Sequence, residues 1–491
     1  MAVFGSFFIY QVSAHPYHIA LELIFATVLV YIFLLHLKRR AAKSRDAAAR
    51  SAIIPSPEEQ ERRLAEFHSK FFREGEPITS NVQVANFKGN YRVLARNGCH
   101  VKVEGGVFAE PTECLDLATH DYHSFSTEPS IVETARRTVA AYGVGSCGPR
   151  GFYGTIRPHL ECEERLARFC GTDDASIYSF SYATIATLLS CFASRGDYIV
   201  CDRGVSSAVM EGCVLTRCNV TYFTHNDLES LERELQAVVA KDGHGKPHRR
   251  LVVTEGVFRN TGEICPLPGI LALCDRYKFR IALEDSYGFG AIGKTGRGTP
   301  EHFGIPISKI DVYVGSMSTS LGTVGGFCAG EASMIDFQRL SATAYVFSAS
   351  LPPYVTASTL AVLDLIDKDH SHTERLQENS KLIRRHLRKA QVDVNKIALV
   401  GDEDWVSPLI YLQVPDAYIQ EVTREVVEGK LQQVVNTVAE NKIIIFRHLY
   451  STTEPTLNQP SLVIVSKSKA TEDELTGAMN VIVRALESEF S

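Results

Sequence analysis

The sequence predicts an α/β protein, a mainly parallel sheet covered by helices on both faces and followed by a smaller α+β domain. Three observations carry this. From residue 131 onward, segments of helical spacing at 131–142, 160–169 and 185–192 alternate with short apolar β-like runs at 175–180, 198–201, 251–254 and 280–283. Such alternation implies parallel pairing, because a parallel connection needs a crossover that a helix supplies. A long helical stretch over 353–387 then leads out of this domain. Beyond it, strands near 409–414, 443–446 and 462–465 and helices near 420–438 and 472–489 make a second, smaller unit. Finally, 491 residues leave room for one large and one smaller domain with a substantial core. In sheets of this kind ligands bind at the carboxyl ends of the strands, so chemistry is expected there.

In chain order, the expected divisions are an amino-terminal segment at 1–16, an apolar span at 17–36, a basic linker with an amphipathic helix at 37–80, an amino-terminal segment plus large domain at 81–365, and the small domain at 366–491. Residues 19–35 are almost wholly apolar, with Glu22 the one full charge. At about 1.5 Å per residue a helix of that length crosses most of a bilayer core. Lys38, Arg39, Arg40, Lys43 and Arg45 follow the run and no Lys or Arg precedes it, which predicts a single pass with the bulk of the chain cytosolic. An interfacial amphipathic helix is the alternative. Ser56-Pro57-Glu58-Glu59 has the form of a capping box with proline at the first helical position. The helix after it sets Leu64, Phe67, Phe71 and Phe72 opposite Arg62, Arg63 and Lys70. That apolar face would cover a membrane surface, a partner or its own domain.

Composition excludes some classes. A hydrophobic content of 45% and a net charge of -6 give no nucleic-acid-type basic surface. The 12 cysteines show no Cys-x-x-Cys or Cys/His ligand spacing, which argues against a zinc site or a disulfide scaffold, so no metal is expected. The stretch Lys241-Asp-Gly-His-Gly-Lys-Pro-His-Arg-Arg250 is read as a solvated charged turn between a helix and a strand.

Six glycine- and proline-marked stretches stand out: 142–155, followed by His159-Leu-Glu161; 255–268; Glu284-Asp-Ser-Tyr-Gly-Phe-Gly290; Gly293-Lys-Thr-Gly-Arg-Gly298; 311–330; and Phe347-Ser-Ala-Ser-Leu-Pro-Pro353. The 311–330 stretch reads as a buried strand, a small-residue loop and a second strand. Together and in this order they resemble the α-oxoamine synthase family, from about residue 81 to the carboxyl end. That resemblance implies the aminotransferase-like fold of pyridoxal phosphate (PLP) enzymes (fold type I), with a seven-stranded sheet. It also implies a reaction that condenses an amino acid with an acyl-CoA and releases carbon dioxide.

Position by position, however, the family's cofactor contacts are altered. Thr319 stands where the family has its Schiff-base lysine, and a threonine has no amine to offer. Ser206 replaces the histidine that stacks on the pyridine ring, Glu284 replaces the aspartate at the ring nitrogen, and Tyr287 replaces a histidine near the ring oxygen. Lys294 and Lys309 lie nearby in sequence and are expected to be solvated. The pattern is similar to the non-catalytic large subunits of serine palmitoyltransferase. The resemblance implies a heterodimer with a catalytic subunit that holds the pyridoxal phosphate, no covalent cofactor in this chain, and no catalytic residue of its own. The shared site would bind L-serine and palmitoyl-CoA and yield 3-oxosphinganine (3-ketodihydrosphingosine). Small membrane activator and regulatory subunits and a place in the endoplasmic reticulum membrane are implied as well.

Contributions to the partner's site are expected from Ser348, at a position that reaches a neighbour's cofactor phosphate, and from Cys147, Arg150 and Tyr153 in the glycine loop. Ser348 is equally suited to cap the helix after Pro352 and Pro353. Arg150 suits a carboxylate or CoA phosphate, and Cys147 reads equally as a small loop residue. Two other readings compete. One is an independent acyltransferase using non-covalent pyridoxal phosphate or Cys147 as nucleophile. The other is a membrane scaffold that shapes no active site.

Overall fold

In the computed structural model the described residues are 27, 30–32, 34, 56–71, 91–242, 248–390, 392–449 and 458–490. They fall into two compact units, Met1–Val84 and Ala85–Ser491. In the first unit the helix Pro57–Phe71 forms where the capping box predicts it. The Ser56 hydroxyl accepts the Glu59 N–H at 3.2 Å, satisfying one of the amide groups a helix start leaves bare. Leu64 is exposed; the side chains of Phe67 and Phe71, and Phe72 itself, lie outside the described residues.

The expected single-pass span at 17–36, and with it the place in the endoplasmic reticulum membrane that the resemblance implies, is corrected. Among the described residues no helix is long and apolar enough to cross a membrane. Of that run only Thr27, Val30, Tyr31, Ile32 and Leu34 are described, all helical, and the rest lies outside the described residues. Crossing a bilayer takes about 20 consecutive apolar residues.

The second unit opens with β1 Arg92–Asn97, β2 His100–Gly105 and β3 Phe108–Asp116, an antiparallel meander. Its central sheet contains β4 Asp174–Tyr178, β5 Tyr198–Asp202, β6 Asn219–Phe223, β7 Arg250–Glu255, β8 Arg280–Glu284, β9 Val312–Ser316 and β10 Gly326–Gly330. Their order is β4-β10-β9-β8-β7-β5-β6. All pairings are parallel except those of β10, which runs antiparallel to β4 and β9. The loop 317–325 is too short to hold a crossover helix, so β10 must return antiparallel to β9. Strands β9 and β10 are buried along their whole length, which is why they read as continuous apolar runs. Strand β6, which sequence pattern did not single out, lies at the edge and is only partly buried.

The smaller sheet orders β11 Ala398–Leu399, β12 Leu409–Gln413, β15 Ser461–Val465 and β14 Phe446–Arg447, all antiparallel. Ile410, Leu412, Leu462 and Ile464 pack with Ile383, Leu431, Leu475 and Ile482 in one core. Cys99, Leu115 and Leu117, from the β2 and β3 region, join that same core.

Three elements differ from expectation. The run 443–446 is not one strand: β13 Ile443–Ile444 pairs parallel with β3, and β14 pairs with β15, so the chain changes sheets within a few residues. The helical stretch 353–387 is two helices, Pro353–Lys368 and Ser371–Lys389. Extended Asp369 separates them, and its carboxylate accepts the Ser371 N–H at 3.0 Å. The stretch 420–438 breaks at Thr423, whose φ of 75 no helix accommodates.

Candidate functional site

Strands β7 and β8 end side by side, and their last residues, Glu255 and Glu284, are in register. Both carboxyl groups are buried. Glu255 accepts the Ser206 N–H at 2.7 Å and the Arg259 N–H at 2.8 Å. Glu284 accepts the Ser286 N–H at 3.2 Å and the Ser286 hydroxyl. Burial raises the pKa of both, and repulsion by Glu255 raises that of Glu284 further, well above the usual carboxyl range.

Asp285, next in the chain, is locked away from this pair. It accepts the Thr299 N–H and hydroxyl at 2.7 Å each and the Tyr313 hydroxyl at 3.0 Å. Burial pushes its pKa up to about 6 against those bonds. Gly256 and Gly298 are glycines for this reason: a Cβ on either would lie 2.1 or 2.2 Å from an Asp285 carboxylate oxygen.

The four positions compared in the sequence do come together. Ser206 precedes the helix Ser207–Thr216 and presents its backbone N–H to Glu255. The Thr319 hydroxyl donates to the Ser286 carbonyl at 2.6 Å, tying the loop 317–325 to the turn after β8. Bonds thus run from Thr319 to Ser286 and from Ser286 to Glu284, which adjoins Glu255 and, through it, Ser206. Tyr287 stands edge-on to His120 with ring centroids 5.1 Å apart. Burial pushes its phenol up to about 12 despite the opposing Arg259 guanidinium, so it stays protonated.

This arrangement does not fit pyridoxal phosphate. Position 319 has no amine, and its hydroxyl is spent on a backbone carbonyl. Position 206 has no aromatic face, and the Glu284 carboxyl, raised by burial and by Glu255, is already bonded to Ser286. Lys294 and Lys309 are exposed. Buried Lys467 is held by the Thr119 carbonyl at 2.6 Å and the Asp121 carbonyl at 3.1 Å.

Several neighbours escaped sequence reasoning. Glu255 was visible only as the start of a motif. His120, Tyr411 and His448 come from the beginning of the unit and from the small domain. Tyr411 donates its hydroxyl to the Arg259 carbonyl and sits 5.5 Å, centroid to centroid, from His448. Burial depresses His120 and His448 to about 4, leaving both neutral. No local pattern marks such residues, because only the fold gathers them. A further buried cluster is His225, whose ring nitrogens meet Asp202 at 2.8 Å and Glu263 at 2.9 Å. Burial pulls its pKa down, but the two carboxylates outweigh burial and bring it up to about 10.

The glycine loop and the 347–351 loop form a second locus. Pro149 and Ala349 make an isolated bridge, and the Ser350 N–H donates to the Gly148 carbonyl at 2.9 Å. Arg150 does not face outward. Its guanidinium is buried and grips Glu163 through two bonds of 2.8 and 2.7 Å, with Thr155 at 3.0 Å. Cys147 is exposed at a left-handed φ of 63, and its sulfur contacts the Gly145 carbonyl at 3.9 Å rather than an imidazole. Tyr153 is 90% exposed, with Phe152 and Phe347 exposed beside it in the same two loops. Ser348 caps no helix; its hydroxyl donates back to the Ala344 carbonyl, and Pro352 holds the cap position of Pro353–Lys368. All 12 cysteines are free thiols. Cys99, His100 and Glu474 gather within 4.8 Å. Burial raises the Cys99 thiol, and Glu474 already accepts the Thr471 N–H at 2.8 Å.

Comparison with known proteins places these features. The family model for class I and II aminotransferases matches residues 112–478. Long chain base biosynthesis protein 1 of Arabidopsis thaliana is 40% identical over 317 residues, 65% of this chain and 63% of that one. Thus the match spans less than two thirds of that relative's length. Serine palmitoyltransferase 1 of Dictyostelium discoideum is 35% identical over 406 residues, 83% of each chain. Among solved structures, the serine palmitoyltransferase of Sphingomonas wittichii superposes with a TM-score of 0.71 at 23% identity, covering 88% of this chain and 97% of that one. The S. paucimobilis enzyme, solved with a PLP–myriocin aldimine, gives 0.71 at 23% identity over 82% and 93%. At that identity the likeness is one of fold.

Proposed function

This chain belongs to the class I and II aminotransferase family, and we propose that within it the protein is the non-catalytic large subunit of a serine palmitoyltransferase. It pairs with a lysine-bearing subunit that holds pyridoxal phosphate, and the pair condenses L-serine with palmitoyl-CoA into 3-oxosphinganine. One observation carries the reading: the Thr319 hydroxyl is bonded to the Ser286 carbonyl inside an otherwise intact aminotransferase frame. Names of the relatives point the same way. A site that cannot hold the cofactor still keeps the surrounding strands and loops in shape for a neighbour.

In this reading Cys147, Tyr153 and Ser348 border the partner's site, and Arg150 acts from inside by holding the glycine loop through Glu163. The exposed aromatic side chains of these loops are then covered by the partner. Small activator and regulatory subunits complete the assembly. The test is to purify the chain alone and together with a lysine-bearing subunit. The chain alone is expected to show neither cofactor absorbance nor condensation, and the pair to show both. Condensation by the isolated chain refutes the proposal.

A further inference from the structure

At the opposite end of the central sheet, the amino ends of β7, β8 and β9 and the carboxyl end of antiparallel β10 surround a cavity of about 560 Å³. That size suits a small-molecule ligand. The five residues of β8 separate it from Glu284 by about 15 Å at roughly 3.3 Å per residue, so it is not the carboxyl-edge site. Its lining divides by chemistry. Arg249, Arg250, Lys278, Arg280 and Lys309 supply five cationic side chains against the carboxylates of Asp311 and Glu331.

Some of that charge is already matched. Arg250 is bonded to Asp242 at 2.7 Å and Arg280 to Asp311 at 2.6 Å. Glu331 accepts the Ser333 hydroxyl at 2.7 Å. The Arg249 backbone N–H donates to the Asp197 carboxylate at 2.9 Å, while its guanidinium reaches only the carbonyls of Cys191 and Phe192, at 3.5 and 3.4 Å. Among the described residues no carboxylate pairs with the side chain of Arg249, Lys278 or Lys309. In a chain of net charge -6, a concave site with uncompensated cations selects an anion. Its other wall is apolar: Phe192 and Phe337 face each other with ring centroids 6.1 Å apart, beside Met334, and Phe337 is exposed. Exposed aromatic surface next to unpaired cations fits a ligand that is charged at one end and apolar at the other.

We propose that this cavity binds a single-chain amphiphile carrying a phosphate group, with the phosphate held by Arg249, Lys278 and Lys309 and the chain laid on Phe192, Met334 and Phe337. Arg249 and Arg250, the last two residues of the stretch read in the sequence as a solvated turn, line this cavity. This inference stands apart from the reading of the carboxyl-edge site.

The test is calorimetric titration of the full chain with dodecyl phosphate below its micelle concentration, alongside dodecyl maltoside and inorganic phosphate. One saturable site for dodecyl phosphate is expected, with both controls at least about tenfold weaker. Lys278→Glu with Lys309→Glu should weaken dodecyl phosphate at least about tenfold, and Phe337→Asp likewise, without changing thermal unfolding, since all three side chains are exposed. Equal binding of inorganic phosphate overturns the amphiphile, equal binding of the maltoside overturns the anion, and indifference to charge reversal overturns the site.

Discussion

Thr319 is more than a missing amine. Its hydroxyl bonds the Ser286 carbonyl, and Ser286 in turn bonds Glu284, so three positions are joined in one hydrogen-bonded network. Restoring one residue leaves the others wrong. Thr319→Lys is therefore expected to give no turnover in the isolated chain, with Ser206 and Tyr287 unable to serve the ring. An absorbance titration with pyridoxal phosphate and a condensation assay check this; robust turnover from the single variant would show that the other positions matter less than argued. The residue types at these positions are read directly from the sequence. The bond that occupies the threonine is not, because it depends on where the turn after β8 lies relative to the loop 317–325.

Among elements, the turn after β5 is held by a charged bridge as well as by the burial of Val205. His225 bridges Asp202, at the end of β5, and Glu263, in the segment leading to the helix Leu267–Tyr277. Its folded pKa, about 10, lies above its ordinary value of 6.5. The bridge therefore contributes its full stability below pH 6.5, and that contribution fades as the pH rises through 10. Relative to His225→Gln, the native chain should lose stability between pH 6.5 and 10, by up to about 1.4 kcal/mol per unit of raised pKa. Denaturant unfolding at several pH values measures it; parallel profiles for the two proteins would remove His225 from the account. The buried Arg150–Glu163 pair plays a similar part for the glycine loop, and the Glu163 carboxylate also accepts the Ile177 N–H at 3.0 Å. Sequence pattern assigned Arg150 to a ligand because an arginine in a glycine loop suits a phosphate; its acid partner sits on another element, the helix Arg157–Cys170.

For the molecule as a whole, the apolar side chains left exposed on the 142–155 and 347–351 loops are the surface that the proposed pairing needs. Tyr153→Asp combined with Phe347→Asp should weaken capture of the lysine-bearing subunit by at least about tenfold. The chain's own stability should stay within about 0.5 kcal/mol, since both residues are exposed. Pull-down and thermal unfolding separate the two effects, and undiminished capture would put the interface elsewhere.

The sequence by itself determined the α/β class, the main strands of the central sheet and the threonine at position 319. Periodicity and residue chemistry are local properties, and a chain carries them whatever its fold. The tertiary structure alone decided that β10 runs antiparallel, that residues 443–447 change sheets, and that Arg150 points inward. It also decided that His120, Tyr411 and His448 stand near Tyr287 and Arg259, and that cations from three strand ends share one cavity. These outcomes depend on contacts between residues far apart along the chain, and a single sequence carries no local signal of which distant residues will meet.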